Sequence, residues 1–273
     1  MPHRDPIAEA LRRAAGRGVP ALVGFLTAGF PDRASFTQHL AAIAEVADVV
    51  EIGVPFSDPM ADGVTIQRSS RVALEQGVTL AWILAALPAL PVRPRAPLLL
   101  MSYLNPLLSY GFWRLPVAAR AAGINGFIVP DLPWEECGEF RAALAHEGLA
   151  LVQMVTPLTP PDRLAMLVRE SQGFVYAVTA TGTTGGATAM PDDVLAYLDR
   201  VRAVASLPVC AGFGIRDAAQ VRRLADHADG VIVGSALVEA IERGEDAAKL
   251  LRGLRDASPP AVRRSPARAP VAP

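Results

Sequence analysis

Residues 50–63, VEIGVPFSDPMADG, bring two carboxylates to a place where chemistry can be built. Glu51 stands inside a short apolar run, Val49, Val50, Ile52 and Val54, that reads as a buried parallel strand. Asp62 lies in the polar stretch that follows, beside Gly63. A Glu inside such a strand is costly to bury unless it is paired or put to use. A carboxyl put to use there moves protons or steadies positive charge. The plain alternative is a hydrogen-bonded core Glu and a turn-forming Asp.

Positioning those groups requires regular elements. Eight short apolar runs alternate with longer stretches rich in Ala, Leu and Arg: 19–28, 47–54, 97–103, 124–130, 149–155, 173–179, 207–213 and 229–235. Each is nearly continuously apolar, which suits strands covered on both faces. Between them run helical patterns. Phe36, Leu40 and Ile43 mark one face of a helix over residues 32–46. Thr159-Pro160-Pro161-Asp162 reads as a helix start with a capping hydroxyl and an early proline. Asp217 and Gln220 have capping-box spacing, and Asp192 and Asp193 place negative charge at another helix start. Eight βα units in one series predict a single (β/α)8 TIM barrel over residues 1–257, with an open doubly wound sheet as the alternative. The tail 258–273 is rich in Pro and Arg and is expected to be disordered.

In such a barrel the strand ends carry the site. Gly214 after the seventh strand, and Gly234 and Ser235 after the eighth, offer backbone N–H groups and a helix start to a phosphate. Glycine suits these turns because a side chain would block close approach of an anion. The loop 181–186, TGTTGG, is small and polar and suits a lid. Phe25, Met101, Tyr103, Ile128, Tyr176 and Phe213 lie at or near strand ends and would form an apolar wall, though Met and Phe are equally core residues. Carboxylates at one end and a phosphate nest at the other suit a flat aromatic substrate with a phosphorylated side arm.

Composition narrows the classes. The 273 residues are 51% hydrophobic and 19% charged, which describes a globular chain with a large core. A net charge of -1 invites neither nucleic acid nor anionic membrane. No apolar run reaches spanning length, and the charged N-terminus has no signal core, so a cytoplasmic location is expected. Cys137 and Cys210 form no disulfide framework, and the four scattered histidines show no metal-ligand spacing, so no metal is expected.

Seven segments, in this order, resemble one family: GFLTAGFPD (24–32), EIGVPFSDPMADG (51–63), YLNP (103–106), VPDLP (129–133), TGTTGG (181–186), GFGI (212–215) and VGSALV (233–238). That family is the tryptophan synthase alpha chain, and the resemblance covers almost the whole body. It implies a lyase that cleaves indole-3-glycerol phosphate to indole and glyceraldehyde 3-phosphate by a retro-aldol reaction. It also implies an α2β2 complex, in which indole passes to a separate β chain that carries PLP, while this chain holds no cofactor. By motif, Glu51 is implied as the general acid–base and Asp62 as the group that holds the indole N–H. Tyr176 is implied near Glu51, and Thr184 would touch Asp62 when the lid closes. Gly185, Gly214, Gly234 and Ser235 would hold the phosphate. Asp58, Asn105, Asp131 and Pro133 fall in segments the family uses near the β chain. Val64 departs from the Pro that members often carry, and Ala180 from the Arg that some members have in the loop. A non-catalytic paralogue that only activates a β chain, and a stand-alone indole-releasing lyase, are the competing readings.

Overall fold

The computed structural model describes residues 5–179, 192–212 and 214–256. The lid segment 181–186, with Thr184 and Gly185, lies outside them, as do Phe213 and the tail 258–273. The eight expected strands all form: β1 (Ala21–Thr27), β2 (Val49–Gly53), β3 (Leu98–Met101), β4 (Ile124–Ile128), β5 (Ala150–Val155), β6 (Val175–Val178), β7 (Val209–Gly212) and β8 (Gly230–Val233). All neighbours are parallel, and β8 pairs back onto β1, so the sheet closes into a barrel in sequence order. The open-sheet alternative is thereby excluded. Closure leaves no sheet edge to protect.

Twelve helices are described around the barrel: α1 (Pro6–Gly16), α2 (Phe36–Val46), α3 (Val64–Glu75), α4 (Leu80–Ala86), α5 (Leu104–Tyr110), α6 (Arg114–Ala121), α7 (Gly138–His146), α8 (Pro161–Glu170), α9 (Asp192–Val204), α10 (Ala218–Leu224), α11 (Ser235–Glu242) and α12 (Ala247–Asp256). Among the described residues, no single helix is long and apolar enough to cross a membrane. Phe36, Leu40 and Ile43 are fully buried on α2, as their spacing requires. The helix begins later than Asp32, however. The Asp32 carboxylate accepts the Ser35 N–H at 2.8 Å and holds a turn in place of a first helical turn. The Asp217–Gln220 capping box of α10 is present in both directions. The start of α8 differs from expectation. Pro160 is its N-cap, and the Thr159 hydroxyl instead accepts the Thr156 N–H at 2.9 Å. Two prolines fix the entry to α8, so the hydroxyl is spent on the preceding turn.

The base of the barrel shows a fourfold device. Each odd strand begins with a backbone N–H that its even neighbour cannot meet with backbone. Asp48 accepts from Leu22 (2.9 Å), Asn125 from Leu98 (3.0 Å), Gln172 from Leu151 (2.9 Å) and Asp229 from Val209 (2.9 Å). Leaving such buried donors unpaired would cost about 1–3 kcal/mol each. Asp48 is also gripped by Arg17 at 2.7 Å and by Arg255 of α12 at 2.8 Å, which ties the last helix to the barrel floor. We expect Asp48→Ala to lower the unfolding free energy by about 2–3 kcal/mol, since a buried N–H and two guanidinium groups lose their acceptor. Asp48→Asn, which keeps the acceptor for Leu22, should cost less. Urea titrations of both variants check this; equal midpoints for wild type and Asp48→Ala would show the floor contacts to be idle.

Candidate active site

The opposite end of the barrel, where the strands terminate, is built differently. Glu51 lies in the middle of β2 with no solvent exposure. Among the described residues, neither carboxyl oxygen has a hydrogen-bond partner. Burial without compensation disfavours the charged form and pushes its pKa up to about 8. At neutral pH the group is therefore mostly a neutral acid, able to give up a proton.

Its surroundings follow from register and from missing side chains. Phe25 on β1 is the pairing partner of Glu51, so both side chains point the same way. Gly53, two residues on and thus on the same face, leaves room for the Phe25 ring. A Cβ there would lie 2.5 Å from the Phe25 Cζ. The arrangement repeats across the barrel. Tyr176 on β6 pairs with Cys210, and a Cβ on Gly212 would lie 2.6 Å from the Tyr176 hydroxyl oxygen. Two glycines thus let two aromatic rings lean over the barrel mouth.

Asp62 stands in the loop between β2 and α3, partly exposed at its surface. Burial raises its pKa to about 6, and a hydrogen bond from the Tyr103 hydroxyl works in the opposite direction. The same hydroxyl oxygen accepts the Ala61 N–H at 2.9 Å. The Tyr103 ring stacks on Phe56, centroids 5.1 Å apart, and the Gln67 side chain donates to the Asp62 carbonyl at 2.8 Å. The loop that carries Asp62 is thus pinned at both ends.

Glu51 and Asp62 line one cavity of about 600 Å³, counting the open space at its mouth. Phe25, Met101, Tyr176, Ile66 and Ile232 form apolar walls, and Gly214, Gly234 and Ser235 close the far end. Gly214 has φ +81°, a left-handed conformation that glycine takes without strain. Gly234 is the N-cap residue of α11 and Ser235 its first residue, so the helix start faces the same end.

Of the wall residues expected from sequence, Phe25, Met101 and Tyr176 line this cavity, whereas Tyr103 and Ile128 do not. Tyr103 is buried behind the Asp62 loop, and Ile128 is fully buried in β4, where its carbonyl accepts the Ser102 N–H. Gly63, Ile66, Ile215, Arg216 and Ile232 line the cavity and were not singled out by sequence. Their signal was present only as adjacency to the two motifs. Asp58, Asn105 and Pro133 are exposed on the same rim, and the Asp131 carboxylate accepts the Leu104 N–H at 2.9 Å. Among the described residues, no three metal-ligating side chains converge. The arrangement offers a neutral acid, a second carboxyl that ionises about two pH units earlier, a flat apolar slot and an anion-receiving end.

Known proteins share this build. A family model for the tryptophan synthase alpha chain matches residues 11–257. The tryptophan synthase alpha chain of Desulfovibrio desulfuricans is 46% identical over 246 residues, 89% of this chain and 96% of that one. That of Chloroflexus aurantiacus is 44% identical over 239 residues, 87% of this chain and 90% of that one. A crystal structure of tryptophan synthase from M. tuberculosis in an aminoacrylate-bound form superposes with a TM-score of 0.84 at 34% identity, covering 94% of this chain and 100% of that one. The tryptophan synthase alpha chain from Legionella pneumophila gives 0.83 at 28% identity, covering 93% and 97%. With barrel and sequence in agreement over nearly its whole length, the chain belongs to the tryptophan synthase alpha chain family.

Proposed function

We propose that Glu51 and Asp62 carry the family's lyase reaction in tryptophan biosynthesis, the retro-aldol cleavage of indole-3-glycerol phosphate. The observation that carries this reading is the buried Glu51 carboxyl, without a partner among the described residues, in the same cavity as Asp62. The carbon–carbon bond breaks only after the indole ring becomes an electron sink. Protonated Glu51 gives its proton to indole C3, and the ring nitrogen takes up positive charge. Ionised Asp62 accepts the indole N–H and stabilises that charge. Glu51, now a carboxylate, removes the proton of the hydroxyl next to the ring. The bond pair returns to the ring as the C–C bond opens, leaving indole and glyceraldehyde 3-phosphate. The phosphate rests on the N–H groups at Gly214, Gly234 and Ser235.

The same reading includes a β-chain partner that carries PLP and receives indole in an α2β2 complex in the cytoplasm. Met60, Leu108 and Leu158 are 82%, 50% and 80% exposed, on the segments that follow β2, β3 and β5. They stand on the rim with Asp58, Asn105, Asp131 and Pro133. Exposed apolar side chains rimmed by polar ones fit a protein surface that is covered in an assembly. Met60→Glu should weaken association with a β chain by about tenfold or more, measured by calorimetry; unchanged affinity would move the contact elsewhere.

Glu51→Gln keeps the shape and removes the transferable proton. Indole release should fall by about 10²–10⁴-fold or more, with phosphate-ligand binding nearly intact. Activity within about a factor of two of wild type would remove Glu51 from the reaction.

The pKa values also set a pH profile. The free enzyme is competent with Asp62 ionised and Glu51 protonated, so kcat/KM should peak between about 6 and 8 and fall on both sides. Stability carries a matching signature. In the unfolded chain Glu51 releases its proton near 4.5, whereas the folded chain keeps it until about 8. Between those values the native state binds the extra proton, so stability falls as pH rises through this window and levels off above it. Glu51→Gln should remove this component in denaturant titrations across pH; an identical pH slope in both proteins would show that Glu51 titrates normally.

A further inference from the structure

Among the described residues that line the cavity, Arg216 is the cationic one. It follows Gly214 by two positions, at the end that would receive the phosphate. Its guanidinium is held firmly. Nη1 lies 2.7 Å from Glu239 Oε2 and Nη2 lies 2.9 Å from Glu239 Oε1, a two-pronged pair. Glu239 sits one turn beyond Ser235 on α11. Its Oε1 also accepts the hydroxyl of buried Thr65 at 2.9 Å, three residues after Asp62. One turn further along both helices, Arg68 grips Glu242 at 2.8 and 2.6 Å. Glu239 therefore ties together the three segments that carry Asp62, Gly214 and Ser235. The Arg216 hydrogen bonds hold the Glu239 pKa down to about 2, so the pair stays ionised at any working pH.

The placement is asymmetric. Arg216 lines the cavity, and Glu239 does not. Five N–H donors belong to a guanidinium, and the carboxylate takes two of them. Backbone N–H groups and a helix start offer partial charge, whereas a guanidinium adds charged N–H donors, here shared with Glu239. We propose that Arg216 is a specificity residue for the anionic arm of the substrate, held at that end of the cavity by Glu239. The proposal rests on the reading that Gly214, Gly234 and Ser235 receive a phosphate. A neutral side arm gains less from Arg216 than a charged one, so the residue favours phosphorylated over unphosphorylated ligands.

The test compares Arg216→Gln with the charge swap Arg216→Glu/Glu239→Arg. Calorimetry reads the affinity for inorganic phosphate and for free indole. Steady-state kinetics read indole-3-glycerol phosphate, and thermal unfolding reports the state of the fold. Arg216→Gln should weaken phosphate and raise KM by about tenfold, with much less effect on kcat and none on indole binding. The swap restores an ion pair and should recover the midpoint of unfolding. It puts a carboxylate at the cavity, so phosphate binding should stay at least about tenfold weaker. Wild-type phosphate affinity in Arg216→Gln, or recovery of phosphate binding together with stability in the swap, would overturn the proposal and leave a helix staple. A wild-type chain that binds indole but not phosphate would overturn the phosphate-end reading itself, and this inference with it.

Discussion

A carboxyl buried in the wall of a closed barrel, unpaired among the described residues, is the constraint on which the rest of this structure depends. Glu51 has no described partner and no solvent exposure, and either condition alone would be unremarkable. Together they keep the group protonated to about pH 8. Holding that state demands walls that do not yield. A mobile wall would admit water or let a donor swing in, and the pKa would fall back. Closure of β1 onto β8 supplies the rigidity, because every strand has two paired neighbours. The glycines at 53 and 212 complete it by letting Phe25 and Tyr176 pack over the mouth without displacing backbone.

The two ends of the barrel spend their polar groups differently. At the floor, Asp48, Asn125, Gln172 and Asp229 each satisfy a strand N–H, and arginines from the helices cover two of them. At the mouth, polar groups are left open among the described residues or stand at turns beside the cavity: the Glu51 oxygens, and the turns at Gly214 and Gly234. Stability gathered at the floor offsets the cost of an unsatisfied carboxyl at the mouth. That division accords with the general habit of these barrels, in which function sits at the carboxyl ends of the strands.

Within the mouth, neighbouring residues of similar type have different duties. Tyr103 follows β3 and Tyr176 lies within β6, and of the two only Tyr176 lines the cavity. Tyr103 turns its hydroxyl to Ala61 and Asp62, and so acts on the pocket through the loop it supports. Thr159 shows the same effect in a helix start, where two prolines made its capping hydroxyl redundant. In each case the local sequence allowed two hydrogen bonds, and the surrounding packing chose between them.

Strand number, strand type and the two carboxylates were legible in the sequence, because buried parallel strands leave unbroken apolar runs and a charged residue inside one is conspicuous. The turns at Gly214 and Gly234 were legible for a related reason, since glycine followed by a helix signals close approach of backbone. Three things belonged to the tertiary structure alone. That Glu51 has no partner among the described residues is a statement about many neighbouring side chains at once. That Phe25 and Tyr176 face the cavity while Ile128 does not depends on register and closure. That Thr65, Arg216 and Glu239 meet depends on α3 and α11 lying side by side, with Thr65 and Glu239 separated by 174 positions in sequence. Local propensities act over a turn or a strand, whereas these contacts exist only once the eighth strand has closed on the first.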